Sequence, residues 1–376
     1  MVTSTEVSND TQIIEPDTGY HGLERVNSRE QKEDYIVGLC SLDFNYDPDI
    51  NRYNIHIPNR SHDPGELKDR VALCDKRFTT SLFTEIGDNA LVQYGRVMHR
   101  RKQFDLLLKN VRQQLDRSGD SKMIRLQKQG DNFVARALVS PRFKRMDVDE
   151  LIPLIERCLK GANMRALGGR NTQGGVIVAR WVSNEPIFSH NDRNIFIGFQ
   201  LRTSDIGESA LYFEPFGCDG FCDNGMVFGK KALDLKPLYI KHSGKNITLR
   251  GFIPQQRIPY ADSYKIEKYI RASLSPGRME MMKVLLDDSF KRTFDKDAEL
   301  VIQRIGRYYD LTNEEITIAK EEFIEGENHA YGIQAAFTAT AQKVETFERR
   351  ERIERECGGK ILEQPKELWE KLVLAA

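Results

Sequence analysis

Between Arg96 and Arg145 the chain carries fourteen Lys or Arg residues and four acidic ones, Asp105, Asp116, Asp120 and Asp131, a net charge of +10. The 376-residue whole is balanced, with 56 basic and 56 acidic residues. A basic block set in a neutral protein points to a localised site for a polyanion rather than a generally adhesive surface. Lys and Arg dispersed over a helix and a hairpin can track a phosphate backbone, each contact releasing condensed counterions. Phe104, Phe133 and Phe143 fall inside the block and Tyr94 lies two residues before it, and aromatic rings stack on unpaired bases. The candidate phosphate contacts are Arg100, Arg101, Lys102, Arg112, Arg125, Arg136, Arg142, Lys144 and Arg145. The competing use of these charges is a solvated surface paired with acidic segments elsewhere in the chain.

A second candidate runs from Arg165 to Gly175, a glycine- and arginine-containing stretch read as a loop, with Arg165 and Arg170 as its contacts. Glycines permit close backbone approach, and loop amides can hold phosphate. It is not a P-loop, because no Gly-Lys-Ser/Thr follows. A third is Cys218-Asp-Gly-Phe-Cys222-Asp-Asn-Gly225. Two nearby thiols can share a metal, but zinc needs about two more ligands and no second Cys pair exists. Cys218, Cys222, Asp219 and Asp223 are therefore weak metal candidates, and Glu214, Asp219 and Asp223 are the carboxylates a magnesium-dependent nuclease would use. The histidines are scattered, and none pairs with Ser or Cys in a nucleophilic motif. No cofactor motif is legible.

The elements that must position these residues follow from periodicity. Tyr35–Asn45 and Arg52–Pro58 read as strands joined across Asp47-Pro48-Asp49. The spacing of Leu91, Tyr94, Met98, Leu106, Leu107, Val111 and Leu115 predicts one long helix over Asn89–Arg117. Lys122–Lys128 and Asn132–Ser140 form a hairpin around Gln129-Gly130-Asp131. Asp147 and Glu150 suggest a capping box opening the next helix. Gly174–Val182, Asn194–Thr203, Ser209–Phe216, Leu235–Lys241 and Ile247–Ile253 are further strands. Ser275-Pro276 and Thr312–Glu315 open helices, and Gly326 fits the C-cap of the second. A helix over Ala330–Cys357 ends in a mixed-charge extension suited to a subunit contact or to solvent.

The expected fold is α+β: a mainly antiparallel sheet with flanking helices, followed by a helical C-terminal region. Residues 1–34, with three basic and eight acidic residues, read as a disordered acidic arm. Residues 35–261 form the core and 262–376 the helical region. Glu280–Glu356 carries eighteen acidic and twelve basic residues, so the chain is polarised along its length. The absence of a secretory h-region or a long apolar run, with four of the six cysteines widely separated, implies reduced thiols in a cytoplasm and no membrane partner.

Three segments together resemble a prokaryotic phage/plasmid-like family, domain of unknown function 932. Arg136-Ala-Leu-Val-Ser-Pro-Arg-Phe-Lys-Arg-Met-Asp147 is similar to its Arg-Ala-x-x-Ser-x-Arg-Tyr-x-x-x-Asp segment, with Phe143 in place of Tyr. Phe221-Cys222-Asp223-Asn224-Gly225 resembles its Cys-x-Asn segment. Tyr331–Thr338, with Glu356-Cys-Gly-Gly359, resembles its C-terminal helix and Gly-containing end. The likeness spans roughly Met123 to Gly359. It implies a phage or plasmid setting in the cytoplasm of a prokaryotic host, and brings no established activity and no catalytic residues.

The function these features suggest is nucleic-acid binding, most simply of single-stranded DNA in replication or recombination. The alternatives are a metal-dependent nuclease or nucleotide-processing enzyme, and a self-assembling protein in which a basic middle meets an acidic tail as a homo-oligomer.

Overall fold

Period-two alternation builds the first sheet. Its strands are β1 (Lys32–Gly38), β2 (Asp43–Asp47), β3 (Arg52–Ile57), β4 (Arg70–Cys74), β5 (Ser121–Gln129) and β6 (Asn132–Val139), with the short strand Gly251–Ile253 beside β1. The computed structural model describes residues 32–58, 70–171, 175–190, 193–220, 224–229, 234–243, 251–253 and 258–374. The spatial order β1-β5-β6-β4-β3-β2 is antiparallel except where β4 runs parallel to β6. On one face Tyr35, Phe44, Ile55, Ile124, Leu126 and Ala135 pack against α1 (Lys76–Arg100) and α2 (Phe104–Arg117). Leu107, Val111 and Leu115, spaced four apart on α2, are at most 1% exposed, whereas Leu106, one step around, is 48% exposed. That contrast is the signature of a single buried stripe.

The second sheet is antiparallel in the order β12-β11-β10-β8-β7, with β9 on β10 and β13 on β11. Its strands are β7 (Met164–Asn171), β8 (Ile177–Ser183), β9 (Phe188–His190), β10 (Arg193–Thr203), β11 (Leu211–Asp219), β12 (Asn224–Val227) and β13 (Leu238–Ile240). Trp181, Phe199, Leu201 and Phe213 project from one face under α3 (Val148–Leu159) and α4 (Tyr260–Ser273). The C-terminal helices follow: α5 (Pro276–Lys291), α6 (Ala298–Tyr308), α7 (Asn313–Glu322), α8 (Ala330–Lys343), α9 (Phe347–Ile353), a π-helical turn at Glu354–Gly359, α10 (Lys360–Leu362) and α11 (Lys366–Leu374). They enclose a core around Tyr331 and Phe337 that continues onto β10 and β12. The expected α+β class and helical C-terminal region are therefore present.

A buried cluster of charges joins the two sheets. Arg125 on β5 donates from Nε to Asp34 of β1 at 3.1 Å and from Nη2 to both carboxylate oxygens of Asp147 at 3.0 and 2.8 Å. Its Nη1 donates to the Asp205 carbonyl, in the turn after β10. Arg145 pairs with Asp34, and Lys32 pairs with Asp205 at 2.7 Å and Asp149 at 3.2 Å.

Several local expectations are revised. Lys32–Asp34 belong to β1, not to the acidic arm: Lys32 and Asp34 join this cluster and Glu33 pairs with Arg70; residues 1–31 lie outside the described residues. The long basic helix is two helices: Lys102 adopts a left-handed φ of +56° between α1 and α2. Strand β4 and the first half of α1 had no clear alternation or stripe to announce them. Asp147 does sit at the N-cap of α3, but its carboxylate is held by Arg125, so Asp205 Oδ1 accepts from the Val148 N–H at 3.2 Å instead. Glu150 accepts from the Ile258 N–H at 2.7 Å rather than closing a capping box. The Thr312/Glu315 box forms as expected, whereas Gly326 lies beyond the α7 C-cap at Phe323.

Burial alone would raise the Asp147 pKa, but Arg125, Lys32 and Arg145 outweigh it and hold the carboxyl down to about 2. The folded value lies below the unfolded one near 4, so this stabilisation is complete above about pH 4 and lost as pH falls toward 2. Urea titrations across that window are expected to show a steep acid-side loss of stability in the native protein and a shallower one in D147N. At neutral pH, Arg125→Met removes the ion-pair partner of buried Asp147 and leaves Asp34 with Arg145 alone, and is expected to cost about 3–5 kcal/mol by the same measurement.

Candidate nucleic-acid interface

The break between α1 and α2 turns the chain back on itself and places Arg96, Arg100, Arg101 and Lys102 on the outside of a corner, all exposed. The buried stripe of α2 fixes this corner against the β2–β3 hairpin. Tyr46 and Tyr53 are cross-strand partners in that hairpin, so their rings stand on the same face. The Tyr46 ring stacks on Phe104 at the start of α2, with centroids 3.7 Å apart and planes at 9°. His99 meets Phe104 edge-on at 5.3 Å, and its Nδ1 lies 3.3 Å from the Tyr53 hydroxyl. A cleft of about 630 Å³ opens between hairpin and corner, lined by Tyr46, Asn51, His99, Arg100, Lys102, Phe104 and Asp105 among others.

The basic block divides by partner, and the corner is where most of its unpaired cations meet, Arg117, Lys128 and Arg142 being others without a carboxylate among the described residues. Arg112, Lys122, Arg125, Lys144 and Arg145 are held in ion pairs with carboxylates. Arg96, Arg100, Arg101, Lys102 and Lys109 have no carboxylate partner among the described residues. Cations that are solvated and unpaired are the ones available to neutralise phosphate, since no ion pair has to be broken first. A stacked aromatic pair at their centre offers a ring face to an unpaired base.

The sequence candidates thus separate. Arg100, Arg101 and Lys102 come together at the corner. Arg112 is also exposed but reaches Asp43 at 2.7 Å. Arg142 is exposed in the turn after β6, away from the cleft's lining. Arg125 and Arg145 are corrected: they are 4% and 7% exposed and serve the buried cluster, so neither presents its charge to a ligand. Lys144 is half-buried against Asp262 at 2.7 Å, and Arg136 is half-buried and donates to the Gln127 side chain. The Arg165–Gly175 stretch is not a loop through most of its length. It forms β7, with a bulge between Ala166 and Gly168; Arg165 stacks its guanidinium over Phe196 at 5.2 Å, and Arg170 sits opposite Val178. Tyr46, Tyr53 and Asn51 were missed as site residues. They lie some fifty positions from the basic block, and only the tyrosines at matched hairpin positions hint at a shared face.

The carboxylates proposed for metal chemistry point apart. Glu214 and Asp219 sit on β11 with odd spacing, hence on opposite faces. Glu214 is bound by Arg355, with Nη2 at 2.9 Å. Asp219 is paired with Arg193 and accepts from the Tyr331 hydroxyl at 2.9 Å. Cys218 is buried and its thiol donates to the Asp219 carbonyl at 3.8 Å, and Cys222 and Asp223 lie outside the described residues. Among the described residues no three His, Cys, Asp or Glu side chains are grouped to hold a metal ion, and no helix is long and apolar enough to cross a membrane.

The mixed-charge C-terminal segment is docked within the chain. Arg180 on β8 pairs with the fully buried Glu354, which Arg350 also meets at 3.1 Å, while Arg202 pairs with Glu351. Burial would raise the Glu354 pKa, yet Arg180 and Arg350 together hold it below the ordinary carboxylate value. The segment comes close to β12 at two glycines: a Cβ on Gly358 would stand 3.3 Å from Met226, and one on Gly359 only 2.1 Å from the Val227 carbonyl oxygen. Gly359→Ala is therefore expected to cost about 1–3 kcal/mol and lower the melting temperature, since backbone must move. Gly119→Ala, with nothing within 4 Å of the added carbon, is the control expected to melt like the native chain.

In comparisons with known proteins, no family model, no curated protein and no solved structure matches the chain.

Proposed function

We propose that the protein binds single-stranded nucleic acid, with single-stranded DNA in the replication or recombination of a phage or plasmid as its primary ligand. The observation that carries this reading is the α1–α2 corner, where unpaired Arg100 and Lys102 line a cleft built on the stacked Tyr46 and Phe104 rings and the unpaired Arg96, Arg101 and Lys109 lie on the same two helices and the turn between them. Phosphates would lie along Arg96, Arg100, Arg101, Lys102 and Lys109, and bases would turn inward to the rings. A duplex offers its phosphates but not its base faces, so single strands gain the stacking contribution of about 1–3 kcal/mol per base that duplexes forgo. No side chain of the corner is arranged to cleave a phosphodiester, and the reading is of a binding protein rather than an enzyme.

Nothing in the geometry favours self-assembly as a second reading, because the mixed-charge helix that suggested it spends its charges on β8, β10 and β11. The nuclease alternative loses ground for a similar reason, since Arg355 and Arg193 already neutralise Glu214 and Asp219.

Fluorescence anisotropy of labelled single- and double-stranded oligonucleotides across salt concentrations tests the proposal. Tighter binding of the single strand, with log affinity falling linearly in log salt, is expected. In the triple variant R100Q/R101Q/K102Q the salt slope should shrink by about 2, following roughly 0.7 per lost phosphate contact, while the melting temperature stays near that of the native chain because these side chains are exposed. Replacing Arg142 should change neither slope nor affinity appreciably. An unchanged slope in the folded triple variant would remove the corner as the binding site.

A further inference from the structure

One group in the cleft runs against a purely phosphate-binding purpose. Asp105, in the first turn of α2, lines the cleft beside Arg100 and Lys102, is exposed, and has no cation partner among the described residues. A carboxylate there repels phosphate. Its placement at a helix N-terminus is electrostatically favourable, but that accounts for its tolerance and not for its presence on the wall where bases would stack. An ionised carboxylate is acceptor-only, with two oxygens. It recognises a base edge that presents two adjacent N–H donors. Among the four DNA bases only guanine does so, with N1–H and the N2 amine side by side on the edge that duplex pairing conceals; adenine and cytosine each offer a single exocyclic amine, and thymine one ring N–H.

Asn51, which lines the same cleft, supplies the complement. The Tyr46 hydroxyl donates to Asn51 Oδ1, which leaves the two amide hydrogens of Asn51 for an acceptor, and guanine O6 is one. Asn51 holds a left-handed φ of +53° at the hairpin tip, where Asn is among the residues that adopt it readily. The stacked Tyr46–Phe104 pair fixes the plane on which such a base would lie.

Resting on the single-strand reading, we propose that this cleft is specific for an unpaired guanine, with Asp105 accepting from N1–H and N2–H, Asn51 donating to O6, and the base stacking on an outer face of the Tyr46–Phe104 pair. The chain would then favour guanine-containing single strands over pyrimidine tracts.

The test measures binding to thymine 12-mers carrying isolated guanines, spaced to prevent quadruplex formation, against the all-thymine strand and against the same strand with inosine at each guanine. A bidentate contact predicts a preference of roughly tenfold or more for guanine. Inosine lacks the exocyclic amine and should lose most of that preference without any change to the protein. In D105N the guanine-to-thymine ratio should approach one, by weaker guanine binding together with tighter thymine binding as a negative charge leaves the phosphate path. Equal affinity for guanine and thymine strands in the native protein overturns the specificity and leaves the phosphate-binding corner standing. A preference that survives both inosine and D105N overturns the assignment to Asp105. Failure to bind any strand overturns the specificity together with the reading beneath it.

Discussion

The structure depends on one buried guanidinium. Arg125 projects from the centre of the first sheet and satisfies Asp34 on the neighbouring strand, Asp147 at the start of α3, and a backbone carbonyl in the turn that follows β10. Removing so many charges from water is costly unless each finds a partner. Arginine meets that condition because its planar fork presents five donors in fixed directions. The geometry is correspondingly restrictive, since only one arrangement of the two sheets brings Asp34, Asp147 and Asp205 around the same fork. Arg145 and Lys32 complete the neutralisation. This cluster sets how the second sheet and its helices sit against the first, which apolar burial, being non-directional, would leave less defined.

The same device recurs where the C-terminal helices meet the second sheet. One face of that sheet is apolar and lies under α3 and α4. The other carries Arg180, Arg202 and Glu214, which find Glu354, Glu351 and Arg355 on the docked segment. A sheet that is apolar on one side and charged on the other ordinarily faces water; here a mixed-charge helix takes the place of water. The close approach of Gly358 and Gly359 to β12 lets the π-helical turn come near enough for these pairs to form. Against this background the α1–α2 corner stands out, because several of the basic block's cations that lack a carboxylate partner among the described residues lie together there.

Much of the secondary structure was legible in the sequence. The β5–β6 hairpin follows from its Gln-Gly-Asp turn, with Gly130 at a φ of +60° as that turn requires. The alternation of Ile195, Ile197, Phe199 and Leu201 gave β10, and the Thr312/Glu315 box gave the start of α7. Where the reading failed, local signals competed. The apolar stripe continues from α1 into α2 with only a small offset, so nothing in its period announces the left-handed turn at Lys102. The glycines of Arg165–Gly175 suggested a loop, yet a strand tolerates them beside a bulge. Asp147 carried a cap signature because an N-cap is where Asp is favoured, and a tertiary partner then claimed its carboxylate.

The sequence by itself determined the α+β class, the helical C-terminal region and the location of a basic block, because periodicity, turn chemistry and charge are local properties of the chain. It did not determine which of those basic residues face a ligand. Arg125, Arg145 and Arg100 are alike in type and neighbourhood, and only the tertiary structure buries the first two among carboxylates while leaving the third in water. Nor could it bring Tyr46 and Asn51 to Phe104 and Asp105. Those contacts span some fifty residues, and they exist because the α2 stripe and the hairpin's inner face must be buried against each other. Burial is a property of the whole fold, so the site it creates is decided there.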